Sequence, residues 1–403
     1  MKETETKNDI RGPLEGIRVI AVENYIAGPV GSMWLADYGA EVIKVEPPWG
    51  DVYRSAEPID IDDEGRNMSY SFLRVNRNKH SVVLDLKQPA DRESFLNLVD
   101  TADVVWENLR AGVFEKLGLG WDVLRERNPR LIYASITGFG SGDFMPSPFQ
   151  NRPAFDIVAQ ALSGVMSRVG EPGMPPMFLG IPIADELGGI LAGYGVLLAL
   201  QARHLTGEGQ RVDISLYDSM IAINEQSIGH YSRFKELPPR GKSGTAGPYG
   251  AFRCRDGWFV TGAASNDIWQ RFCQVLDAPE LASDARLENG VDRAALQESI
   301  LRPYIEKWAS DLSAEEVTSR LNEGGVPAAP VQNVADLFDC PHVEARKMIV
   351  AVDDPVSGTL YLAGDPVKLQ SFPEPTYRAA PQLGADQERY GPDMKGNQGT
   401  HDD

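Results

Sequence analysis

Ile17-Arg-Val-Ile-Ala-Val-Glu-Asn-Tyr-Ile-Ala-Gly-Pro-Val-Gly-Ser-Met-Trp-Leu-Ala-Asp-Tyr-Gly-Ala-Glu-Val-Ile-Lys-Val-Glu46 is the stretch that decides the fold. Residues 17–22 and 41–46 are short apolar runs, the pattern of strands buried on both faces. Between them Ala27-Gly28-Pro29 reads as a turn, Val30 to Tyr38 as a helix, and Gly39 as its stop. Two strands joined through a helix form a parallel pair. The unit then recurs. Pro47-Pro48-Trp49-Gly50 closes it as a loop, residues 81–86 read as a third strand, and residues 89–101 as an amphipathic helix. Residues 103–107 and 131–136 are a fourth and a fifth strand, and residues 212–216 another before a helix from Tyr217. This alternation predicts an α/β fold with a parallel sheet wound in the Rossmann manner.

Near Leu237 the texture changes. Pro238-Pro-Arg-Gly-Lys-Ser-Gly-Thr-Ala-Gly-Pro-Tyr-Gly250 has the Gly and Pro content of a domain boundary or a mobile loop. Residues 251–253 and 258–261 flank Asp256-Gly257, a hairpin signal. Helical patterns dominate to about Asn322, and residues 327–331 read as a strand. After that, short strands alternate with proline-rich loops, and residues 381–403 read as a loose polar tail.

The chain has 403 residues, enough for two domains with sizeable cores. Hydrophobic residues at 42% and charged residues at 24% exclude a disordered chain. A net charge of −19 argues against nucleic acid or an anionic membrane as the main partner. Any polyphosphate ligand therefore requires the scarce cations to gather at one site. Cys254, Cys273 and Cys340 are odd in number, widely spaced and without a metal pattern, which points to a reducing cytoplasm. Residues 1–12 lack the apolar core of a signal peptide. The apolar run 187–200 reads as too short and too Gly-rich to cross a bilayer, so a soluble protein is expected.

One carboxylate pair, Asp185-Glu186, stands alone between Phe178 and Leu200. The segment before it is broken by Gly180 and Pro182, and the segment after it is an apolar run of helix length. Asp185 is therefore expected at a loop-to-helix junction, desolvated enough to be nucleophilic and kept ionised by the helix dipole. Taken alone, an Asp in that place is usually an ordinary helix cap. Glu186 reads as a first-turn helix residue. Other chemistry finds no support. Gly138-Phe-Gly-Ser-Gly142 is a near miss to a dinucleotide fingerprint, with Asp143 in place of the third glycine, and reads as a plain turn. No G-x-S-x-G elbow or P-loop occurs. His80, His204, His230, His342 and His401 are scattered without ligand spacing, so no metal site is expected.

Several blocks resemble the class III coenzyme A transferases, the family of formyl-CoA transferase and the carnitine-type enzymes. They are Leu14-Glu-Gly-Ile-Arg-Val-Ile20, Ala27-Gly-Pro29, residues 35–46, Asn76-Arg-Asn-Lys-His-Ser-Val-Val-Leu-Asp-Leu-Lys87, and Ala102-Asp-Val-Val-Trp-Glu-Asn-Leu-Arg110. The series continues with Lys116-Leu-Gly-Leu-Gly120, residues 128–133, Phe155-Asp-Ile-Val-Ala-Gln160, the Asp185 segment and residues 203–210. Weaker matches run through Gly325-Val-Pro327 and Ala380-Pro-Gln-Leu-Gly384. Collinear from about residue 14 to 390, the set is specific where no single block is.

The resemblance implies a CoA-transferase in which Asp185 attacks an acyl-CoA thioester and passes through a mixed anhydride and an aspartyl-CoA thioester. Backbone N–H groups near Gly188 and Gly189, or in a glycine loop, are expected to stabilise the anionic intermediates. No permanent cofactor is implied; coenzyme A and its acyl thioester are substrates, and a free carboxylic acid is the acceptor. The matching CoA positions are Ile26, Ala27, Leu84, Asp85, Leu86, Lys87, Asn108, Leu109, Arg110 and Lys116, with Phe155 beside them. Pro47 and Pro153 stand where formyl-CoA transferase has basic residues, so their role is either missing here or filled by Arg54 or Arg152. Gly244, Thr245, Ala246 and Gly247 fall where the family places a glycine-rich flap; as plain sequence they are equally an interdomain linker.

The rival with the same fold is an α-methylacyl-CoA racemase, whose relatives carry a histidine where Phe155 stands. A phenyl ring cannot move a proton. Asp156 beside it either lines the site or is structural. A non-catalytic CoA-binding subunit of a heteromeric transferase is the other alternative, and the presence of Asp185 weighs against it. The implied assembly is a homodimer of two chains threaded through one another like linked rings. Each chain has a large Rossmann-like domain whose N-terminal part spans 1–220. A linker and small α+β domain with the flap occupy 221–325. The return linker, the C-terminal part of the large domain and the tail occupy 326–403.

Overall fold

The computed structural model describes residues 12–392 apart from Asp143; residues 1–11, residues 393–403 at the end of the expected tail, and Asp143 itself lie outside the described residues. Two compact units emerge. The first comprises residues 12–165, 178–224 and 344–392, the second residues 166–177 and 225–343.

The first unit is built on six strands: β1 (Arg18–Val22), β2 (Glu41–Glu46), β3 (His80–Val83), β4 (Val104–Glu107), β5 (Ile132–Thr137) and β6 (Arg211–Ser215). All neighbours run parallel, in the order β3-β2-β1-β4-β5-β6. That order is the doubly wound arrangement the strand–helix alternation predicts. Both faces of the sheet are covered. Val19 and Ala21 belong to one core with Trp106 and Ala192, while Ile20 and Val22 belong to the other with Phe95 and Tyr133. The two-residue period of a strand explains that division.

Helix α1 (Ala27–Asp37) starts three residues earlier than the sequence pattern predicts. Ala27-Gly28-Pro29 is its first turn and not a loop, because proline has no N–H to lose there and its fixed φ already suits a helix. Helix α2 (Pro89–Val99) follows β3, helix α3 (Asp156–Leu162) precedes the Asp185 segment, and helix α4 (Ile183–Thr206) carries it. A Cβ built on Gly31 would lie 2.3 Å from the Gly189 carbonyl oxygen, and one built on Gly189 would lie 2.5 Å from that of Ala27. Glycine on both helices is what lets α1 and α4 touch backbone to backbone.

Helix α4 has 24 residues, and an 18-residue window of it reaches a mean hydropathy of 1.5 with 33% of the window buried. By length and composition it could cross a membrane, contrary to the shorter run read from the sequence. Its glycines do not interrupt it, since Gly188 and Gly189 are buried against Leu216 and α1. Ile190, Tyr194, Leu197, Leu198 and Leu205 stand exposed along it.

The described part of the expected loose tail, residues 381–392, packs against the sheet. Asp386 accepts from Ser81 N at 2.9 Å, and Gln387 Oε1 from Val83 N at 2.8 Å, so this segment satisfies the outer edge of β3. Tyr390, in the short helix Gln387–Tyr390, is buried and bonded to Glu41. The third strand is also shorter than its sequence pattern predicts. It ends at Val83, and Leu84 and Leu86 turn into the core.

The second unit holds a three-stranded antiparallel sheet of Ala328–Pro330, Trp258–Gly262 and Tyr249–Arg253. The hairpin turns at Asp256-Gly257, closed by a 3.0 Å bond from Cys254 N to Gly257 O. Helices pack on it through Phe252, Phe259, Trp269, Phe272, Leu301 and Leu321.

Candidate active site

In a sheet ordered 3-2-1-4-5-6 the winding reverses between β1 and β4, and the chain ends of those strands frame a crevice. A cavity of about 620 Å³ lies there. Tyr25 and Ala27 reach it from the exit of β1, Asn108, Leu109, Arg110 and Lys116 from the exit of β4, and Gly138 from the exit of β5. Residues 150–155 and Asp185 complete the wall. The loops after β1 and β4 are clamped together. Asn108 Oδ1 accepts from Asn24 N at 2.8 Å, and its Nδ2 donates to Asn24 O at 2.8 Å. Leu109 N donates to Glu107 at 2.7 Å, a buried carboxyl whose pKa burial pushes up to about 8.

Asp185 is the third residue of α4. Asp156, a buried carboxylate at the start of α3, caps α4: its Oδ1 accepts from Ala184 N at 2.7 Å and from Asp185 N at 3.4 Å. Its Oδ2 accepts from Gln160 at 2.6 Å. Asp156 is therefore structural, and Asp185 is released from the capping duty that an Asp in a first turn usually performs. The Asp185 carboxylate accepts no hydrogen bond from the described residues, so its lone pairs are free. Its pKa is pushed up to about 7, first by burial and then by the charges of Asp156 and Glu186, with Arg74 acting in the opposite sense. Burial and the neighbouring carboxylates thus oppose the expected effect of the helix dipole, which is to keep it ionised at neutral pH. The N–H groups that carry the positive end are already bonded to an anion. Glu186 sits in the first turn as expected, 3.9 Å from Arg74.

The oxyanion donors expected at Gly188 and Gly189 are not there. Both residues lie inside α4, where a helix bonds its own N–H groups, and both serve the packing described above. At the start of α1, by contrast, the N–H groups of Ala27 and Gly28 have no intrahelical acceptor, and Ala27 lines the cavity.

Of the expected CoA contacts, Ala27, Asn108, Leu109, Arg110, Lys116, Arg152 and Phe155 line one cavity with Asp185. Arg110, Lys116 and Arg152 make no ion pair with a carboxylate among the described residues, and Arg152 stacks 3.7 Å over Phe149. Ile26 does not line the cavity; it is buried with Val30 and Val75. The stretch Leu84, Asp85, Leu86 and Lys87 lies on the loop after β3. There Lys87 Nζ sits 5.7 Å over the exposed ring of Trp49, and Asp85 accepts from Lys87 N. Arg54 cannot stand in for a basic residue at position 47. It is held by Glu46 at 2.7 Å through two nitrogens, bonds Pro381 O at 3.0 Å and lies 3.8 Å over Phe72.

Tyr25 is a wall residue that sequence reasoning misses. Its φ of 63° turns the chain between β1 and α1, and its ring meets Tyr53 at 5.5 Å and Phe155 at 5.8 Å, both edge to face. An aromatic residue just past the first strand is the available signal. Among the described residues no histidine lines the cavity, and no group of three or more His, Cys, Asp or Glu could hold a metal.

In the second unit, Gly244 and Thr245 line a different cavity. Ala246 N donates to Ser243 at 3.1 Å, and Gly247 O accepts from the buried Arg293 at 2.7 Å. That end of the loop is anchored: a Cβ on Gly247 would meet Ala294 N at 2.5 Å.

Against known proteins, the profile of CoA-transferase family III matches residues 14–387. The chain is 42% identical over 372 residues to the succinyl-CoA:mesaconate CoA-transferase of Haloarcula hispanica, covering 91% of this chain and 93% of that one. It is 36% identical over 378 residues to the acetyl-CoA:oxalate CoA-transferase of Acetobacter aceti, covering 93% of each. The β subunit of a succinyl-CoA–L-malate CoA-transferase from Chloroflexus aurantiacus is 35% identical over 380 residues, with 92% and 91% covered. Among solved structures, a CaiB/BaiF family protein from Brucella suis superposes with a TM-score of 0.80 at 32% identity, covering 94% of this chain and 98% of that one.

Proposed function

The chain belongs to CoA-transferase family III and is a CoA-transferase, and from that premise we propose that it moves coenzyme A from succinyl-CoA, or a similar short thioester, to a free dicarboxylic acid, with Asp185 as the nucleophile. The observation that carries this reading is the pairing in one cavity of a desolvated Asp185 with Arg110, Lys116 and Arg152, three cations that lack carboxylate partners among the described residues of a chain of charge −19. Such cations suit the phosphates of coenzyme A. The relatives named for mesaconate, oxalate and malate supply the class of acceptor.

In this reading an ionised Asp185 oxygen attacks the thioester carbonyl, and the C–S bond breaks to give a mixed anhydride and the CoA thiolate. The thiolate attacks the aspartyl carbonyl, releasing the donor acid as carboxylate and leaving an aspartyl-CoA thioester. The acceptor carboxylate attacks that thioester, expelling the thiolate and forming a second anhydride. The thiolate then takes the acceptor acyl group and restores Asp185. No proton is gained or lost over the cycle, so no general base is needed. The free N–H groups of Ala27 and Gly28 at the start of α1 are placed to stabilise the developing oxyanions. That no histidine among the described residues lines the cavity weighs against a racemase, which needs two proton carriers.

We further propose that a second copy of this chain covers the exposed apolar residues of α4 in an interlocked homodimer, since so long an apolar stripe is unfavourable in water. Three free cysteines fit the reducing cytoplasm expected from the sequence. The test is direct: incubate the protein with succinyl-CoA and mesaconate, oxalate or malate, and separate the thioesters. The reading predicts succinate and a new acyl-CoA formed one for one. Hydrolysis to free CoA alone, or epimerisation of a 2-methylacyl-CoA without transfer, would contradict it.

A further inference from the structure

Glu107, the last residue of β4, is a buried acid that the reaction at Asp185 does not use. The two-residue period of the strand places it on the same face as Val105, toward the core built with Phe114, Leu119 and Tyr133. Among the described residues no Lys or Arg pairs with it, and the charges that act on it, Glu115 and Asp213, are both of its own sign. Burial is the first cause that pushes its pKa up to about 8, so the side chain is an uncharged acid at neutral pH. A buried acid without a counter-ion is costly unless its hydrogen bonds are kept.

Both of its oxygens are used. Oε2 accepts from Leu109 N at 2.7 Å, and Oε1 accepts from the Tyr133 hydroxyl at 3.2 Å. Tyr133, on β5, stacks with Phe114 at 6.1 Å and with Trp121 at 6.3 Å, and the Arg211 guanidinium lies 5.8 Å from its ring. The acid therefore has a rigid support behind it. The three residues that follow it, Asn108, Leu109 and Arg110, all reach the cavity. Asn108 N donates to Val22 O at 3.3 Å, and Val113 N donates to Arg110 O at 3.0 Å. Between those two backbone ties, the bond from Leu109 N to Glu107 holds the loop.

We propose that Glu107 is a positioning residue for coenzyme A: braced by Tyr133, it bonds Leu109 N and so fixes the loop that presents Asn108 and Arg110 to the cavity. The inference rests on the CoA-transferase reading, in which this cavity takes the CoA. Glu107 touches no substrate itself. An amide in its place keeps the acceptor for Leu109 N and offers a hydrogen to the Tyr133 oxygen. Ionisation above about pH 8 leaves an unsolvated charge facing Glu115 and Asp213, which favours a swing toward water and off Leu109.

The experiment uses the full chain. Binding of free CoA is measured by calorimetry at pH 7 and pH 9 for the wild type, Glu107→Gln and Glu107→Leu. Amide hydrogen exchange of the peptide containing Leu109, and steady-state transfer from succinyl-CoA to mesaconate, are measured alongside. At pH 7 Glu107→Leu should weaken CoA binding about tenfold, the cost of one buried hydrogen bond. KM for succinyl-CoA should rise in step while kcat stays nearly unchanged, and exchange at Leu109 should quicken. Glu107→Gln should restore affinity and protection. At pH 9 the wild type should bind CoA about threefold more weakly than Glu107→Gln, a comparison in which titration of the CoA thiol cancels. An unchanged CoA affinity in Glu107→Leu overturns the proposal whatever the exchange shows. Glu107→Gln as weak as Glu107→Leu overturns it too, since the charge and not the hydrogen bond would then be at work. If Glu107→Leu fails to fold, the wild type and Glu107→Gln compared across pH decide, and equal affinities at pH 9 overturn the proposal. A wild type that binds CoA but transfers it to no acid counts against the functional reading alone, and the binding and exchange measurements still judge Glu107.

Discussion

Replacing Asp185 with Asn should stabilise the protein, and the gain should depend on pH. The folded protein holds the Asp185 proton up to about pH 7, against an ordinary value of 3.8. A carboxyl whose value rises on folding contributes full stability below the unfolded value and loses it as pH climbs through the folded value. The wild type therefore bears the cost of a buried charge progressively between about pH 4 and pH 7, and the span corresponds to about 4 kcal/mol. Asn has nearly the same shape and no charge to bury. The advantage of Asp185→Asn is then about 1 kcal/mol at pH 4.5 and about 4 kcal/mol at pH 8.5. At roughly 2 °C per kcal/mol for domains of this size, Tm should rise by about 2 °C at the lower pH and about 8 °C at the higher. Thermal unfolding of both proteins from pH 4.5 to 8.5, followed by circular dichroism, gives the comparison. A Tm difference that is flat across that range, or a variant less stable than wild type at pH 8.5, would refute the reasoning. Stability withheld at the proposed nucleophile would be an exchange of stability for activity.

Other expectations concern the same site and its supports. The rate of transfer at low substrate should rise with pH through about 7 as Asp185 ionises, and Asp156→Asn should move that midpoint down, since it removes a neighbouring negative charge; a midpoint that stays fixed in the variant would contradict the assigned cause. Arg110→Gln combined with Lys116→Gln should raise KM for the acyl-CoA by roughly tenfold, or about 1.4 kcal/mol, with kcat nearly unchanged; a fall in kcat alone would argue against phosphate contact. Gly31→Ala should cost about 1–3 kcal/mol because its methyl would press on the Gly189 carbonyl. A Tm within one degree of wild type, measured by calorimetry, would show that α1 and α4 separate more easily than their contact implies.

Much of the sheet is legible in the sequence because its strands are buried on both faces and read as bare apolar runs. Asp185 is legible because a lone charged pair interrupts an apolar context. What the sequence hides is set by distant partners. Proline at the third position of α1 looks like a turn until the helix around it is known. Asp156 caps a helix in which its acceptor bond reaches 28 residues along the chain, so neither its role nor its effect on Asp185 can be read locally. Arg54 looks free to bind phosphate, yet Glu46 and the Phe72 ring hold it. The segment at Asp386 and Gln387 looks loose because its polar side chains bond the edge of β3, a partner some three hundred positions earlier.

The measurement that bears most directly on Asp185 as nucleophile is chemical trapping. The protein is incubated with succinyl-CoA and hydroxylamine, digested, and its peptides mapped by mass spectrometry. The account predicts a hydroxamate on Asp185 that appears only when the thioester is present. An unmodified Asp185 in protein that is turning over succinyl-CoA, or a hydroxamate on another carboxylate, would contradict it.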